Sequence, residues 1–305
     1  MGKRSAALLA LAIVVAACSG SSGPDRADRA DRDGFAGDVP RPPDVVIHGG
    51  GRTLRLRPYT YSWDSGSADG FPSAHPSEIG TPQSVTVDLP GEGWSVYVNF
   101  GSPRQPDPGG GPFSTQCGRR FPHQLATNAS DRLVIRPRGT AGIHDVDITM
   151  TSTLRPESRS VTFRWTTPVS GPTNRPHSSA AVLADHDGRV DSYGVDFSAS
   201  DLASTPKNAT AAITVTAANG RSATIPLTRN PDECTDGLVR FAGSKEAGLE
   251  AARLGPKPFR YDVELTMDGV RYRAHAVWPR DEQPDDEPNV RLRFSPPLPG
   301  FVVDR

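Results

Sequence analysis

The sequence predicts an all-β fold with two tandem sandwich domains, and three features of the chain support this. Glycine and proline each occur 30 times among 305 residues, which indicates many turns. Short stretches of alternating apolar and polar residues recur along the chain, the pattern of half-buried strands. A segment of the first half also recurs in the second half, which predicts the same architecture twice.

The N-terminus has the composition of an export signal. Lys3 and Arg4 precede the apolar run AALLALAIVVAA, which is shorter than the ~20 residues of a membrane-spanning helix. The small residues before Cys18 resemble the lipobox of bacterial lipoproteins. This resemblance implies that residues 1–17 are a signal peptide, that cleavage occurs before Cys18, and that the Cys18 thiol is acylated. An ordinary secretory signal with a chance cysteine is the alternative.

Residues 18–43 predict a lipidated, flexible tether. The stretch SGSSGPDRADRADRDGFAGDVPRPP contains few apolar side chains, so it cannot bury enough surface to offset the entropy of ordering. Two or more acyl chains on Cys18 would hold the protein at a bilayer. The expected location is therefore the extracytoplasmic face of the cell membrane, with a lipid anchor.

The charge of the chain bears on its partners. The formal net charge is −1, which gives no electrostatic case for nucleic acid, whose binding depends on neutralised phosphates. The expected partners are the membrane, through the lipid anchor, and an envelope protein or glycan.

The first domain is predicted over residues 44–167. Val85–Leu89 and Trp94–Val98 flank a Pro-Gly turn and predict a hairpin. Tyr59, Tyr61 and Trp63 alternate along another strand and would share one face of it. The favoured interpretation is a core face, and an exposed face that stacks on sugar rings is the alternative.

Residues 168–178 (PVSGPTNRPHS) predict an interdomain linker, and the second domain follows over residues 179–305. Its clearest hairpin surrounds Asn219-Gly220, a dipeptide that suits a type I′ turn. Another tight turn is predicted at Asp268-Gly269. Residues 245–254 (KEAGLEAARL) predict one short helix.

The internal repeat is short but has two parts. The segment DVDITM at 145–150 recurs as DVELTM at 262–267, and each copy is followed by a strand that ends in tryptophan, Trp165 or Trp278. Cys117 and Cys234 each lie 28 residues before their copy of the segment. The two coincidences together favour a duplicated β-domain.

The two cysteines leave alternatives open. Equivalent positions in two sandwiches placed end to end would lie farther apart than the ~4.4–6.8 Å between the Cα atoms of a disulfide. Either the domains pack side by side and Cys117 pairs with Cys234, or both are buried free thiols.

About seven short strands are predicted in each half of the chain, and this number is typical of immunoglobulin-like sandwiches. With the lipobox and the tether, the motifs RPYTYSW, VLADHDGRVDSYGV, ITVTAANGRS and LTMDGVRY resemble actinobacterial surface lipoproteins with two immunoglobulin-like domains. The resemblance implies a compartment and a fold, and it implies no activity.

One segment resembles part of a calcium-binding loop of the EF-hand or dockerin kind. Aligning Gly188 with the glycine of such a loop places Asp185, Asp187 and Asp191 at ligand positions and Arg189 at the carbonyl position. The first and last ligand positions, however, carry no carboxylate. A tight Asp-Gly turn between two strands explains the same residues without a metal.

Motifs of catalysis are missing from the sequence. It contains no Gly-x-Ser-x-Gly, no His-Glu-x-x-His and no phosphate-binding glycine loop. We therefore predict no catalytic residue and no cofactor other than the calcium considered above. The leading hypothesis is a non-enzymatic binding or scaffolding module at the cell envelope. The alternatives are an envelope enzyme that acts on polysaccharide through an unrecognised site, and a calcium-stiffened, adhesion-like module.

Overall fold

Antiparallel strands dominate the structure, a computed structural model that describes residues 42–63, 66–73, 75–104, 118–126, 131–230, 235–284, 286 and 288–303. The buried apolar side chains form two separate clusters. We call the described residues between 42 and 167 the N-terminal body, and those between 177 and 303 the C-terminal body. Both bodies belong to one compact unit of the chain.

The strands of the N-terminal body are β1 (Val45–Gly49), β2 (Arg52–Leu56), β3 (Thr60–Trp63), β4 (Gly66–Ala68), β5 (Glu78–Gly80), β6 (Val85–Asp88), β7 (Trp94–Gly101), β8 (Arg120–Ala126), β9 (Arg132–Ile135), β10 (Gly142–Ser152) and β11 (Ser158–Thr167).

Two sheets enclose the core of the N-terminal body. One has the order β2-β1-β6-β9, and the other has the order β4-β3-β11-β10-β7-β8, with β5 parallel to β11. The predicted hairpin of β6 and β7 is wrong, because these strands belong to different sheets. Alternation of apolar and polar residues shows which face of a strand is buried, and β6 and β7 each bury one face as predicted. It does not show which strand is the hydrogen-bonded neighbour.

The aromatic residues of β3 belong to the core side. Tyr61 is buried, and Trp63 packs against the apolar cluster, which confirms the core interpretation for these two. The guanidinium of Arg159 lies between the rings of Trp63 and Trp94, 4.8 and 5.0 Å from their centroids. Tyr59 precedes the strand, and burial together with the charge of Asp147 raises its pKa to about 12.

The C-terminal body contains β12 (His177–Ala181), β13 (Ala184–His186), β14 (Arg189–Asp191), β15 (Val195–Ser200), β16 (Ala209–Ala217), β17 (Ser222–Arg229), β18 (Val239–Gly243), α1 (Lys245–Ala252), β19 (Phe259–Met267), β20 (Val270–Trp278) and β21 (Val290–Arg291).

The C-terminal body is a nearly closed barrel. Eight strands follow the order β20-β19-β16-β17-β18-β15-β12-β21, and Arg273 and Ser295 exchange backbone hydrogen bonds of 3.0 and 2.8 Å across the remaining gap. A sheet that curls onto itself covers its own apolar face and leaves few exposed edges. The all-β prediction is thus confirmed, while this body differs from the predicted two-sheet sandwich.

The hairpins and the helix predicted for the C-terminal body are confirmed, except for the type of one turn. The hairpins β16/β17 and β19/β20 and the helix α1 all form. Asp268 and Gly269 both have positive φ, 46° and 85°, as a two-residue primed turn requires. Around Asn219-Gly220 only Gly220 does, and the Ala217 amide donates to the Arg221 carbonyl at 2.9 Å. The loop therefore has three residues, and the type I′ prediction is wrong.

The two copies of the repeat occupy similar hairpins. Residues 145–150 lie in β10 and residues 262–267 lie in β19, and each strand pairs with a neighbour that carries a fully buried tryptophan, Trp165 or Trp278. The apolar residues of both copies face a core. The acidic residues have different environments, because Asp145 is buried and Asp262 is only half-buried.

Candidate functional site

Arg119, directly before β8, joins the two bodies. Its Nη2 and Nε donate to the Asp236 carboxylate at 2.8 and 3.1 Å, and its Nη1 and Nη2 donate to the carbonyls of Leu202 and Ala203 at 2.7 and 2.9 Å. The guanidinium carbon also lies 4.0 Å from the centroid of the Phe301 ring. This one side chain therefore connects the edge of the N-terminal body to three segments of the C-terminal body.

Asp236 is held in place from several directions. Its amide donates to the Gly118 carbonyl at 3.1 Å, and its Oδ1 accepts hydrogen bonds of 3.1 Å from both the amide and the hydroxyl of Thr205. Burial alone would raise the pKa of Asp236, but the hydrogen bonds from Thr205 and the charge of Arg119 outweigh it and lower the pKa. The carboxylate that faces Arg119 is thus favoured in its charged form.

The predicted linker is hydrogen bonded to both bodies. Gly171 donates to the Gly139 carbonyl at 2.8 Å, and Asn174 donates to the Pro122 carbonyl at 3.0 Å. The Thr173 hydroxyl donates to the Phe301 carbonyl at 3.1 Å. His177 and Ser178, the last two residues of the predicted range 168–178, already belong to β12, and the division into domains stays a prediction.

A cleft of about 230 Å³ lies beside Arg119, between the two bodies. Tyr97 and Asn99 of β7 and Arg120 of β8 form one wall. Asp201 and Arg240 contribute to the opposite wall. We call this feature the Arg119 cleft. It combines an aromatic ring, an amide and charges of both signs.

Two residues that line the Arg119 cleft have side-chain oxygens without a close hydrogen-bond donor. Asn99 is only 8% exposed, and its covered Oδ1 has no hydrogen-bond partner among the described residues, although buried polar atoms are nearly always partnered. From the part of the chain that the structure describes, the Asp201 carboxylate accepts two long hydrogen bonds, 3.5 Å from Asn174 and 3.4 Å from Ser200. Burial raises the pKa of Asp201, although these hydrogen bonds and the charge of Arg119 oppose it.

A second charged cluster lies within the N-terminal body and is saturated. Asp145 Oδ1 accepts from Arg164 Nε at 2.8 Å, and Oδ2 accepts from the Arg104 amide at 2.6 Å. The Arg104 guanidinium donates to both oxygens of Asp147 at 2.6 and 2.7 Å, and the Thr162 hydroxyl donates there too. Because each of these carboxylate oxygens has a donor, we assign the cluster to the stability of the fold.

The calcium-like segment forms the hairpin β13/β14. Asp187 and Gly188 make its turn with positive φ angles of 51° and 82°, and Asp185 Oδ1 accepts from the Gly188 amide at 2.7 Å. Lys257 forms an ion pair with the other oxygen of Asp185, and this hydrogen bond lowers the pKa of Asp185. Asp191 accepts from the amide of the next residue at 2.8 Å. Arg189 is exposed.

Calcium binding by the hairpin stays untested. Among the described residues, no group of three or more histidine, cysteine, aspartate or glutamate side chains is placed to hold a metal ion. We expect the unfolding temperature to be the same with calcium as with chelator, because Lys257 already forms an ion pair with the Asp185 carboxylate. A site with a Kd a hundredfold below the calcium concentration would add ~2.7 kcal/mol. A stabilisation that Asp187→Asn abolishes would contradict this expectation.

All three cysteines lie outside the described residues, so their states stay open. Cys117 directly precedes Gly118, and Cys234 lies two residues before Asp236. The described residues Gly118 and Asp236 are hydrogen bonded at 3.1 Å, and the choice between a disulfide and two free thiols stays a prediction. Peptide mapping without reductant distinguishes the disulfide from two free thiols.

The residues of the Arg119 cleft have no motif in the sequence. Tyr97 and Asn99 alternate with Val96 and Val98, so the pattern does place them on the face opposite the core. No local signal shows that Asp201 and Asp236 from a distant part of the chain cover that face. The nearest sequence feature is the pair of adjacent arginines Arg119 and Arg120, which begins two residues after Cys117.

The chain matches no model of a known protein family. A search of curated proteins finds no significant match. The described residues include no helix with the length and apolar character needed to cross a bilayer.

Proposed function

We propose that this protein is a lipid-anchored, non-enzymatic binding module on the extracytoplasmic face of the cell membrane. The lipobox-like sequence at Cys18 and the polar stretch 18–43 support an anchor and a tether. The observation that supports binding is the Arg119 cleft, which combines the partly exposed ring of Tyr97 with charges of both signs. We include in this proposal an immunoglobulin-like classification of the N-terminal body and an origin of both bodies by duplication.

The connection between the bodies favours binding over a loose chain of domains. Arg119 donates four hydrogen bonds across the contact, and the connecting segment donates to both bodies. Walls that are held in place before a ligand arrives lose less entropy when it binds. A scaffolding role toward an envelope protein would use the same fixed arrangement.

One observation favours the alternative of an enzyme that acts on polysaccharide. Asp201 and Asp236 line the same cleft, and their pKa values shift in opposite directions, upward for Asp201 and downward for Asp236. Such divergence is typical of acid and base pairs. Asp236, however, already binds Arg119 and Thr205, which favours a structural role for it.

The anchor is tested by replacing Cys18. We expect the wild-type protein, produced in a bacterial host, to remain in the membrane fraction, with acyl chains on an N-terminal Cys18 peptide in mass spectrometry. Two or more chains anchor stably where one does not, so Cys18→Ser should be unacylated and lose the membrane attachment that depends on lipid. The control Cys117→Ser should stay anchored. A wild-type protein that is soluble and unacylated would contradict the proposal.

A further inference from the structure

We propose that the β1/β2 hairpin binds the anionic headgroups of the membrane that carries the lipid anchor. This inference rests on the proposed membrane location, and it adds an electrostatic contact to the lipid on Cys18. It does not depend on the Arg119 cleft, because the residues that line the cleft lie outside the hairpin. The residues that would recognise the lipid surface are Arg52, Arg55 and Arg57.

The hairpin is built so that its polar side chains are held at the surface. Gly50 and Gly51 form its two-residue turn with positive φ angles of 56° and 75°, as a primed turn between paired strands requires. Leu56 is buried in the apolar cluster of the N-terminal body, and Leu54 packs against the same cluster. Because side chains alternate along a strand, Arg55 lies on the opposite, solvent side of β2.

The three arginines of the hairpin are exposed and unpaired. Arg52, Arg55 and Arg57 are each exposed, and within the described ranges none of their guanidiniums has a hydrogen bond or an ion pair. Arg104 and Arg164 of the same body, by contrast, bind carboxylates at 2.6 and 2.8 Å. A guanidinium without a protein partner can donate its fork of N–H groups to an external anion, and phosphate suits that geometry.

The hairpin is a positive region on a chain whose net charge is −1. Segment 44–57 contains three arginines against a single aspartate, a surplus of two positive charges. Two acidic residues on neighbouring strands act on other arginines, since Asp88 lies 3.3 Å from Arg132 and the charge of Glu78 acts on Arg164. The local surplus favours an anionic partner.

The place of the hairpin in the chain favours a membrane as that partner. Of the strands that the structure describes, β1 is the first, and it begins at Val45, 27 residues after Cys18. A coil of that length spans roughly 30 Å on average, so the proposed tether would keep the hairpin near the headgroups at a high effective concentration. Each arginine near an anionic surface favours binding by about fivefold, and three together by about 100-fold. That preference is weak for a free protein and sufficient for a tethered one.

The test is arginine footprinting of the whole acylated protein with phenylglyoxal, followed by mass spectrometry. The protein is reconstituted into vesicles of phosphatidylcholine alone, or into vesicles with phosphatidylglycerol as about a third of the lipid. We expect Arg52, Arg55 and Arg57 to react about threefold more slowly, or slower still, on the anionic vesicles. This protection should disappear in about 1 M sodium chloride, where charges are screened beyond ~3 Å.

Three arginines of the C-terminal body are the internal control. Arg189, Arg221 and Arg271 are also exposed, and their guanidiniums have no partner among the described residues either. They should react equally on both kinds of vesicle. The proposal is overturned if the hairpin arginines react equally as well, or if the control arginines are protected as strongly. Sodium polyglutamate that protects the hairpin on neutral vesicles, when anionic vesicles do not, would overturn the lipid surface in favour of an acidic polypeptide.

A variant experiment separates this contact from the anchor, because it uses the Cys18→Ser chain, which cannot be acylated at that position. At low salt and millimolar lipid, this chain should sediment with the anionic vesicles. Adding R52Q/R55Q/R57Q should lower the bound fraction about tenfold or more, whereas R189Q/R221Q/R271Q, which removes the same charge, should not. All six side chains are exposed, so both triple variants should keep the unfolding temperature. Equal binding by the two triple variants would overturn the hairpin contact, whereas a wild-type chain without acyl groups would contradict only the anchor.

Discussion

Asp145→Ala is expected to lower the free energy of unfolding by about 3–5 kcal/mol. The Asp145 side chain is fully buried, and it accepts hydrogen bonds from Arg164 and from the backbone amide of Arg104. Removal of the carboxylate leaves the Arg164 guanidinium without its closest anion and the buried amide without an acceptor. Urea denaturation followed by tryptophan fluorescence measures the loss.

The internal repeat supplies a matched control for this variant. Asp262 occupies the equivalent position of the second copy, but its side chain is 43% exposed and pairs with the exposed Arg260 at 2.8 Å. Exposed ion pairs contribute about 0–1 kcal/mol, so Asp262→Ala should change stability little. If Asp145→Ala and Asp262→Ala lower the free energy of unfolding equally, the burial of Asp145 does not account for its contribution to stability.

Arg119→Ala is expected to cost about 3 kcal/mol and to separate the unfolding of the two bodies. The guanidinium is mostly buried and donates to a carboxylate and to two carbonyls of the C-terminal body. Without it, Asp236 loses its counter-charge and both carbonyls lose a donor. Arg119→Lys should also destabilise, because lysine keeps the charge but cannot reproduce the planar fork of donors.

Arg132→Ala serves as the control for the loss of an arginine. Its side chain is 66% exposed and lies 3.3 Å from Asp88 within the N-terminal body. Its replacement should cost less than about 1 kcal/mol and leave the unfolding of the two bodies coupled. If Arg119→Ala behaves like Arg132→Ala, the contact between the bodies does not depend on Arg119.

Alternation in the sequence predicted most strands and the face that each one buries. It could not predict strand neighbours, because β6 and β7 have the same pattern whether they pair in a hairpin or face each other across a core. Closure of the barrel brings Arg273 against Ser295, and no local pattern in the sequence shows that these two residues pair. Turn type at Asn219-Gly220 depended on loop length, which the dipeptide alone does not fix.

The two copies of the repeat show why the environment of a polar residue is harder to predict from sequence than the strand that contains it. Asp145 and Asp262 stand in nearly identical segments, yet one is buried and the other is exposed. Asp145 accepts a hydrogen bond from Arg104, which lies 41 residues before it, and no local pattern in the segment shows this contact. The Arg119 cleft is similar, since Tyr97 and Asp201 are distant in sequence. The hairpin at Asp187-Gly188, by contrast, was predictable as a turn, because its geometry is local.

The central claim is that two β bodies form one fixed unit around the Arg119 cleft, and calorimetry of the wild-type protein tests it most directly. A single unfolding transition is predicted, with a van't Hoff enthalpy equal to the calorimetric enthalpy. Two resolved transitions, or a van't Hoff enthalpy well below the calorimetric one, would show that the bodies unfold independently and would contradict the account.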